Sequence, residues 1–202
     1  MRVLVACEES QAVCLAFRER AHEAYSCDIQ EPSGGHPEWH IRADALELLK
    51  LPWDLIIAHP PCTYMANSGA VRMRVKGKIQ PERYKKAMEA KAFFMAFYNA
   101  NCPKIAIENP TPMKLIGLPP YTQAIQPYEY GHPYSKRTCL WLRGLPPLVP
   151  TCVIADHEPY VNGGCKDAHG NYRRFQGRKE RDAKTRSKTF PGIARAMAEQ
   201  WG

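Results

Sequence analysis

The stretch DLIIAHPPCTYMANSG, residues 54–69, joins a run of apolar residues to a turn that holds a cysteine. The run LIIA is typical of a buried strand, and it ends at the sequence HPPC, which closes with Cys62. Proline fixes its own φ angle and pushes the residue before it into extended geometry, so Cys62 follows the strand on a stiff support. A thiol that only filled the core would not need that support. The stretch therefore predicts a buried strand with a chemically active Cys62 beyond its carboxyl end.

Strand-like and helix-like segments alternate along the rest of the chain. Short runs rich in β-branched and apolar residues predict strands at 2–6, 24–27, 54–58, 104–107 and 137–142. Helical spacing and start signals predict helices at 10–22, 45–50, 81–99 and 191–200, and Ser10 is expected to cap the first of them. This alternation predicts a single α/β domain over residues 1–202, with a mostly parallel sheet covered by helices on both faces.

The residues richest in chemistry follow the predicted strands. Ligands of parallel α/β sheets bind at the carboxyl ends of the strands, so we expect these residues to meet at one rim. Asp28 is placed to bind the hydroxyl groups of a ribose, and Asp44 to accept from an adenine amino group. An aspartate at a strand end is also a common turn former, so either residue alone is a weak signal. The full set is Cys7, Glu8, Ser10, Asp28, Asp44, Pro60, Cys62, Glu108 and Asn109.

The positive charge of the chain is concentrated in two segments. The formal net charge is +8, with +6 in residues 72–86 and +6 in residues 173–188, which leaves the rest of the chain at −4. This distribution indicates a polyanionic partner and favours nucleic acid over a merely solvated basic surface. The candidate contacts are Arg72, Arg74, Arg173, Arg174 and Arg178.

Length and composition limit the class of protein. With 202 residues and 45% hydrophobic residues, the chain can bury one sizeable core. It has no apolar run near 18 residues and no secretory signal, and its eight cysteines are scattered, so we expect free thiols in the cytoplasm and no membrane partner. Nothing indicates an obligate protein partner. No metal site is predicted, although a loosely spaced set leaves a structural zinc open: Cys152, His157, Cys165 and His169.

Three sequence elements occur in an order typical of one enzyme family. Pro60-Pro61-Cys62 is followed by Glu108-Asn109 and then by YGHPYSKRT at 130–138. This set resembles the cytosine-5 DNA methyltransferases, which carry a Pro-Pro-Cys loop, a Glu-Asn pair and a Tyr-Gly-x-Pro-Gln-x-Arg-x-Arg segment. The stretch RSKTFPGIARAMAEQW, residues 186–201, looks like the last motif of that family. The resemblance covers nearly the whole chain and implies a Rossmann-like methyltransferase fold that uses S-adenosyl-L-methionine (SAM).

The resemblance implies a role for each matched residue. Cys62 would add as a thiolate to carbon 6 of cytosine, which activates carbon 5 toward the methyl group of SAM. A protonated Glu108, with its pKa raised by a dry pocket, would meet the charge that develops at ring nitrogen 3. Lys136 or Arg137 would hold the base and favour the thiolate, and Asn109 would contact the substrate. The target would be a base flipped out of duplex DNA, or a base in single-stranded DNA.

The first loop departs from the family pattern. The family has a glycine-rich loop there, whereas ACEESQ at residues 6–11 has no glycine. The residues implied to line the SAM site are Cys7, Glu8, Ser10, Asp28, Asp44 and Pro60.

The carboxyl-terminal third also departs from the family pattern. Tyr134, Lys136 and Thr138 stand where the family has a glutamine and two arginines. Only about 42 residues, 144–185, separate the last two motifs, which is too few for a target-recognition domain. The polar, basic segment 144–188 takes its place, so we expect a small methyltransferase of bacterial or phage type with weak sequence preference.

Two other functions are compatible with the sequence. Without a recognition domain, the substrate could be a free pyrimidine nucleotide modified at carbon 5, although the two basic segments oppose this. The glycine-free first loop is also compatible with a non-catalytic nucleic-acid-binding protein on a degenerate methyltransferase fold. The presence of both Cys62 and Glu108 opposes that alternative.

Overall fold

Strands and helices alternate over most of the chain. The computed structural model describes residues 1–161, 163–166, 171–175 and 183–202, with only the backbone of 163–166, 172–175 and 183–184. The helices are α1 (Ala12–Glu19), α2 (Ala45–Leu48), α3 (Ala70–Met73), α4 (Pro81–Tyr98), α5 (Ala183–Ser187) and α6 (Pro191–Trp201). The strands are β1 (Arg2–Ala6), β2 (Glu23–Asp28), β3 (His40–Arg42), β4 (Leu55–Ala58), β5 (Arg74–Val75), β6 (Lys78–Ile79), β7 (Lys104–Pro110), β8 (Gln123–Ile125), β9 (Tyr134–Ser135), β10 (Thr138–Arg143), β11 (Glu158–Pro159), β12 (Gly163–Lys166) and β13 (Tyr172–Phe175).

Within the described residues, seven strands form the main sheet in the order β3-β2-β1-β4-β7-β10-β8. The strands from β3 to β7 are parallel, whereas β10 runs antiparallel to both of its neighbours, β7 and β8. The predicted mostly parallel, Rossmann-like α/β sheet is therefore confirmed. The strand order reverses between β1 and β4, and a crevice outside the carboxyl ends of these strands is the usual ligand site of such sheets.

Two hydrophobic clusters cover the two faces of the sheet. Alternate residues of each strand point to opposite faces, so Leu4 and Ala6 of β1 join one cluster while Val3 and Val5 join the other. The first cluster includes the buried side of α4, and the second includes α1 and α6, which pack together. The predicted coverage by helices on both faces is thus confirmed, and the apolar character of β4 follows from burial on both sides.

Several boundaries differ from the sequence-based prediction. The prediction had helix α1 start at a Ser10 cap and end near His22, whereas the helix begins at Ala12 and ends at Glu19. It begins after Gln11 because Gln11 holds a left-handed conformation with φ 60°. Strand β7 continues through Glu108 and Asn109, because β10 pairs with it as far as Pro110. The sequence pattern also missed β3, β8 and the short β5–β6 hairpin, since strands of two or three residues show no clear period.

The segment 144–188 contributes short strands in its described part. Strand β11 pairs with β9, and β12 pairs with β13. The seven cysteines whose side chains are described are all free thiols, as predicted. No helix among the described residues is long and apolar enough to cross a membrane.

Candidate functional site at the strand ends

The loop after β1 contains two residues in a left-handed conformation, although it has no glycine. Cys7 and Gln11 both have a φ of 60°, a left-handed geometry that is costly for residues with a side chain. The buried Gln11 side chain donates to the backbone oxygen of His36 at 2.8 Å and accepts from its backbone nitrogen at 3.2 Å. Gly34 packs directly against Gln11, because a Cβ atom added to Gly34 would lie 2.6 Å from the Cβ of Gln11. These contacts hold the loop at the carboxyl end of β1.

Glu8 lies at the centre of this loop and caps helix α1. Its carboxylate accepts hydrogen bonds from the backbone nitrogens of Val13 at 2.6 Å and Cys14 at 3.2 Å. Burial raises the pKa of Glu8 to about 7. The nearby charge of His59 and these two hydrogen bonds act in the opposite direction but do not outweigh burial. The helix N-terminus, a common anion site in such folds, is thus occupied by a carboxylate of the chain itself.

Three of the predicted SAM-binding residues, Cys7, Asp28 and Asp44, lie close enough for their charges to interact. Burial raises the pKa of the Cys7 thiol, and the charges of Asp28 and Asp44 add to this effect. Each aspartate also stabilises a local turn, since Asp28 accepts from the backbone nitrogen of Gln30 at 2.9 Å and Asp44 from that of Leu46 at 3.0 Å. Both roles considered from the sequence, turn former and rim carboxylate, are therefore compatible with the geometry.

The Pro-Pro-Cys loop is held by a hydrogen bond from the neighbouring strand. The buried Asn109 side chain donates from Nδ2 to the backbone oxygen of Pro60 at 2.8 Å. The backbone oxygen of Cys62 accepts from the nitrogens of Met65 at 3.0 Å and Ala66 at 2.9 Å, which closes a turn. Asn109 thus contacts the chain here, and its predicted contact with substrate stays a prediction. Ser10, half-buried, accepts from the backbone nitrogen of Ala12 at 3.5 Å.

Cys62 is a partly buried thiol influenced by two charges. Burial raises its pKa, and the charge of Glu108 raises it further. The charge of Lys136 acts in the opposite direction and favours the thiolate. The predicted catalytic residues Cys62, Glu108 and Lys136 therefore lie within electrostatic range of one another, although up to 74 positions separate them in the sequence.

Glu108 forms an ion pair with His59. The Nδ1 atom of His59 lies 2.8 Å from Oε2 of Glu108, and their side chains are only 12% and 15% exposed. Burial alone would raise the pKa of Glu108, but the hydrogen bond and charge of His59 outweigh it, so the pKa lies below its ordinary value. The prediction that a dry pocket raises this pKa was wrong, because it took no account of a buried imidazole beside the carboxyl group.

The two predicted cations make different contacts. Lys136 donates from Nζ to the backbone oxygen of Arg186 at 2.8 Å, and its charge acts on both Cys62 and Glu108. Arg137 donates to the hydroxyl of Tyr121 at 2.9 Å and lies near the Cys139 thiol. Of these two cations, Lys136 is therefore the better placed to act on Cys62.

The predicted DNA contacts lie on exposed parts of the chain or outside its described side chains. Arg72 is exposed on α3, and Arg74 is exposed on the β5–β6 hairpin, whose turn places Lys76 and Gly77 at positive φ. The backbone of Arg173 and Arg174 belongs to β13, their side chains are not described, and Arg178 lies outside the described residues. Their predicted roles therefore stay predictions.

Sequence reasoning missed two residues of this site. His59 belongs to the HPPC sequence itself, and that position before two prolines at a strand end was the signal that could have identified it. Thr189, whose hydroxyl donates to Oε2 of Glu108 at 3.4 Å, belongs to the stretch 186–201 that was matched to the last motif of the family, but the match gave this residue no role.

The open zinc alternative is only partly described. His157 contacts the backbone oxygen of Ala155 at 3.1 Å and packs on the ring of Tyr128, and Cys152 is exposed. The described residues contain no group of three or more potential metal ligands. The side chain of Cys165 and the whole of His169 lie outside the described part, so the zinc alternative stays untested.

Comparisons with known proteins give little direct guidance. No family model matches the chain, and no curated protein matches it. Among solved structures, one similar protein is a candidate DNA modification methyltransferase encoded within a prophage of E. coli, with 15% identity and a TM-score of 0.48. The alignment covers 76% of this chain and 52% of that one, so the chain spans about half the length of that protein.

Proposed function

We propose that this protein transfers a methyl group from SAM to carbon 5 of cytosine in DNA through a covalent adduct with Cys62. The observation that carries the proposal is that Cys62 follows β4, that Glu108 lies in the neighbouring parallel strand β7, and that the charge of Glu108 acts on the Cys62 thiol, with Lys136 in range of both. A nucleophile, a proton-carrying group and a cation at one strand-end rim are the groups that this reaction needs.

The sulfur of Cys62 forms a bond to carbon 6 of the cytosine ring, and the electron density moves toward carbon 5. Nitrogen 3 gains a proton at the side of Glu108, and this neutralises the charge that would otherwise develop on the ring. Carbon 5 then takes the methyl group, and the sulfonium of the donor would become a neutral thioether. A solvent base takes the proton from carbon 5, the electrons of that bond restore the ring double bond, and the sulfur leaves carbon 6 as the Cys62 thiolate. Nitrogen 3 returns its proton to Glu108, which leaves 5-methylcytosine.

The thiol must be ionised for the first step. Burial and Glu108 keep it protonated in the free protein, and Lys136 opposes them. Because Lys136 is held by the backbone oxygen of Arg186, its position depends on the segment that leads to α6. We assign Lys136 the role of favouring the thiolate when the base has entered and displaced water.

SAM supplies an electrophilic methyl group on a sulfonium when it is bound. The residues at this rim have the chemistry to hold such a ligand, since the half-buried Asp28 and the exposed Asp44 present carboxylates near Cys7 beside the β1–β4 reversal of the sheet. Asp28 would bind the ribose hydroxyls and Asp44 the adenine, with Cys7, Ser10 and Pro60 lining the site. Glu8 would contribute its charge rather than a direct contact, because its carboxylate is occupied by the start of α1.

DNA is the proposed substrate because the exposed basic surface follows the catalytic loop directly. The β5–β6 hairpin and the start of α4 connect to the turn after Cys62 through Arg83, which donates to the backbone oxygen of Thr63 at 3.0 Å. A base within a duplex cannot reach Cys62, so the target has to be flipped out or already unpaired. Phosphate contacts from this surface would provide most of the affinity.

The test is mass-spectrometric nucleoside analysis of DNA incubated with SAM and either the wild type or Cys62→Ala. We expect 5-methyldeoxycytidine with the wild type and a loss of at least about a hundredfold in the variant, whose fold should be unchanged. A parallel incubation with free dCMP separates the substrates. Methylation of dCMP but not of DNA, or unchanged methylation by the variant, would overturn the proposal.

A further inference from the structure

A buried histidine lies among the acidic groups of the site, and the proposed reaction gives it no role. The imidazole of His59 contacts Glu108 through Nδ1 at 2.8 Å. Its other nitrogen, Nε2, is buried and has no hydrogen-bond partner in the described part of the chain. A buried polar atom without a partner is costly, so its presence calls for a functional reason.

The charged groups that act on this imidazole come from three different elements. Glu108 belongs to β7, Glu8 to the loop after β1, and Lys136 to the connection between β9 and β10. Burial lowers the pKa of His59, but the hydrogen bond and charge of Glu108, helped by Glu8, outweigh burial and Lys136, so the pKa lies above its ordinary value. Opposite shifts on the two members of one hydrogen bond are expected of a pair that holds one proton between them.

We propose that His59 is a positioning residue that orients Glu108 through Nδ1 and shares with it the single proton that Glu108 gives to nitrogen 3 of the target cytosine. The inference rests on the proposed function, because it names the source of the proton that the adduct requires. It also accounts for a carboxyl group that is ionised in the free protein and yet has to act as an acid.

The proton balance permits two arrangements with the same number of protons. In one, an imidazolium with protons on Nδ1 and Nε2 faces a carboxylate. In the other, the proton has moved along the 2.8 Å hydrogen bond from Nδ1 to Oε2 of Glu108, so a neutral imidazole keeps only the Nε2 proton and the carboxyl group is protonated. The contact between Nδ1 and Oε2 is kept in both, with the donor reversed. As sulfur bonds to carbon 6, the carboxyl proton moves to nitrogen 3, and it returns to the pair when that bond breaks.

The first experiment needs neither DNA nor SAM. Protein labelled with 15N in its histidine rings is titrated by NMR, and the signals of His59 are identified by their loss in His59→Asn. We expect His59 to stay protonated to a higher pH than a histidine in an unfolded peptide, and to lose that shift in Glu108→Gln. An ordinary titration in the wild type, or no change in Glu108→Gln, would overturn the inference and leave the proposed function untouched.

The second experiment uses the pH dependence of methyl transfer. Asparagine can replace the Nδ1 donor of His59 but cannot titrate, whereas alanine removes both properties. His59→Ala should lose roughly a hundredfold in rate even at low pH, within the range for acid–base groups. His59→Asn should recover much of this rate at low pH, while the alkaline limb of its profile moves to lower pH, because Glu108 then holds the proton alone. Equal profiles for His59→Asn and the wild type would refute the shared proton. Absence of methyl transfer by the wild type would instead refute the proposed function.

Discussion

Replacing Asn109 with alanine should release the Pro-Pro-Cys loop from the sheet. The Nδ2 atom of Asn109 donates to the backbone oxygen of Pro60 at 2.8 Å, and the Asn109 side chain is only 3% exposed. The substitution leaves the carbonyl oxygen of a buried residue without this donor. An unsatisfied buried polar group costs about 1 to 3 kcal/mol, so we expect the free energy of unfolding to fall by about 2 kcal/mol.

Urea unfolding followed by tryptophan fluorescence measures this loss, and the rate of Cys62 alkylation by iodoacetamide measures the release of the loop. The exposed Asn101 gives a matched control, and Asn101→Ala should change stability by less than about 0.5 kcal/mol. Methyl transfer should also fall by at least about tenfold, because a nucleophile displaced by about 1 Å loses its alignment. If Asn109→Ala were as stable as the control and alkylated Cys62 at the wild-type rate, the loop would not depend on this bond.

Three further outcomes are expected. The pKa of Glu8 rises from an ordinary 4.5 to about 7 on folding, so the unfolded chain loses this proton first and stability falls as the pH rises between these values. Glu8→Gln cannot ionise at this position, so its free energy of unfolding should not show this fall. In urea unfolding, the difference in that free energy between the variant and the wild type should shift in favour of the variant by on the order of 3 kcal/mol from about pH 4 to about pH 8. Gly192→Ala should unfold at lower temperature in calorimetry, since an added Cβ would lie 1.9 Å from the backbone oxygen of Tyr130 and force α6 to move, at a cost of about 1 to 3 kcal/mol. A triple charge reversal to glutamate at Arg173, Arg174 and Arg178 should weaken binding to all DNA sequences alike in fluorescence anisotropy, and the slope of log K on log salt should flatten by about 0.9 for each phosphate that is no longer neutralised.

The order of the main strands and helices was accessible from the sequence because local patterns determine it. The apolar run before HPPC predicted β4, and the proline at the start of a long helical pattern predicted α4 at Pro81. The alternation of these elements predicted the parallel sheet, and through it the rim that gathers Cys62 and Glu108. These features depend on neighbours within a few residues of one another.

The parts that the sequence did not reveal depend on long-range contacts. The orientation of β10 cannot be read from its own residues, because parallel and antiparallel strands share the same period. The left-handed Gln11 is held by contacts with the loop near Gly34, which lies 23 positions further along the chain, and its residue type does not predict that geometry. The protonation of Glu108 depends on His59, which lies 49 positions away and is as close as 2.8 Å in the fold.

The central claim is that Cys62 adds to the cytosine ring, and covalent trapping tests it most directly. A short duplex containing 5-fluorocytosine is incubated with SAM and the protein, and the digested product is examined by mass spectrometry. Because fluorine at carbon 5 cannot leave as the proton does, the adduct should persist after methyl transfer, with the nucleotide attached to the peptide that contains Cys62. The Cys62→Ala variant should give no adduct. An adduct on another residue, or no adduct while ordinary cytosine is methylated, would contradict the account.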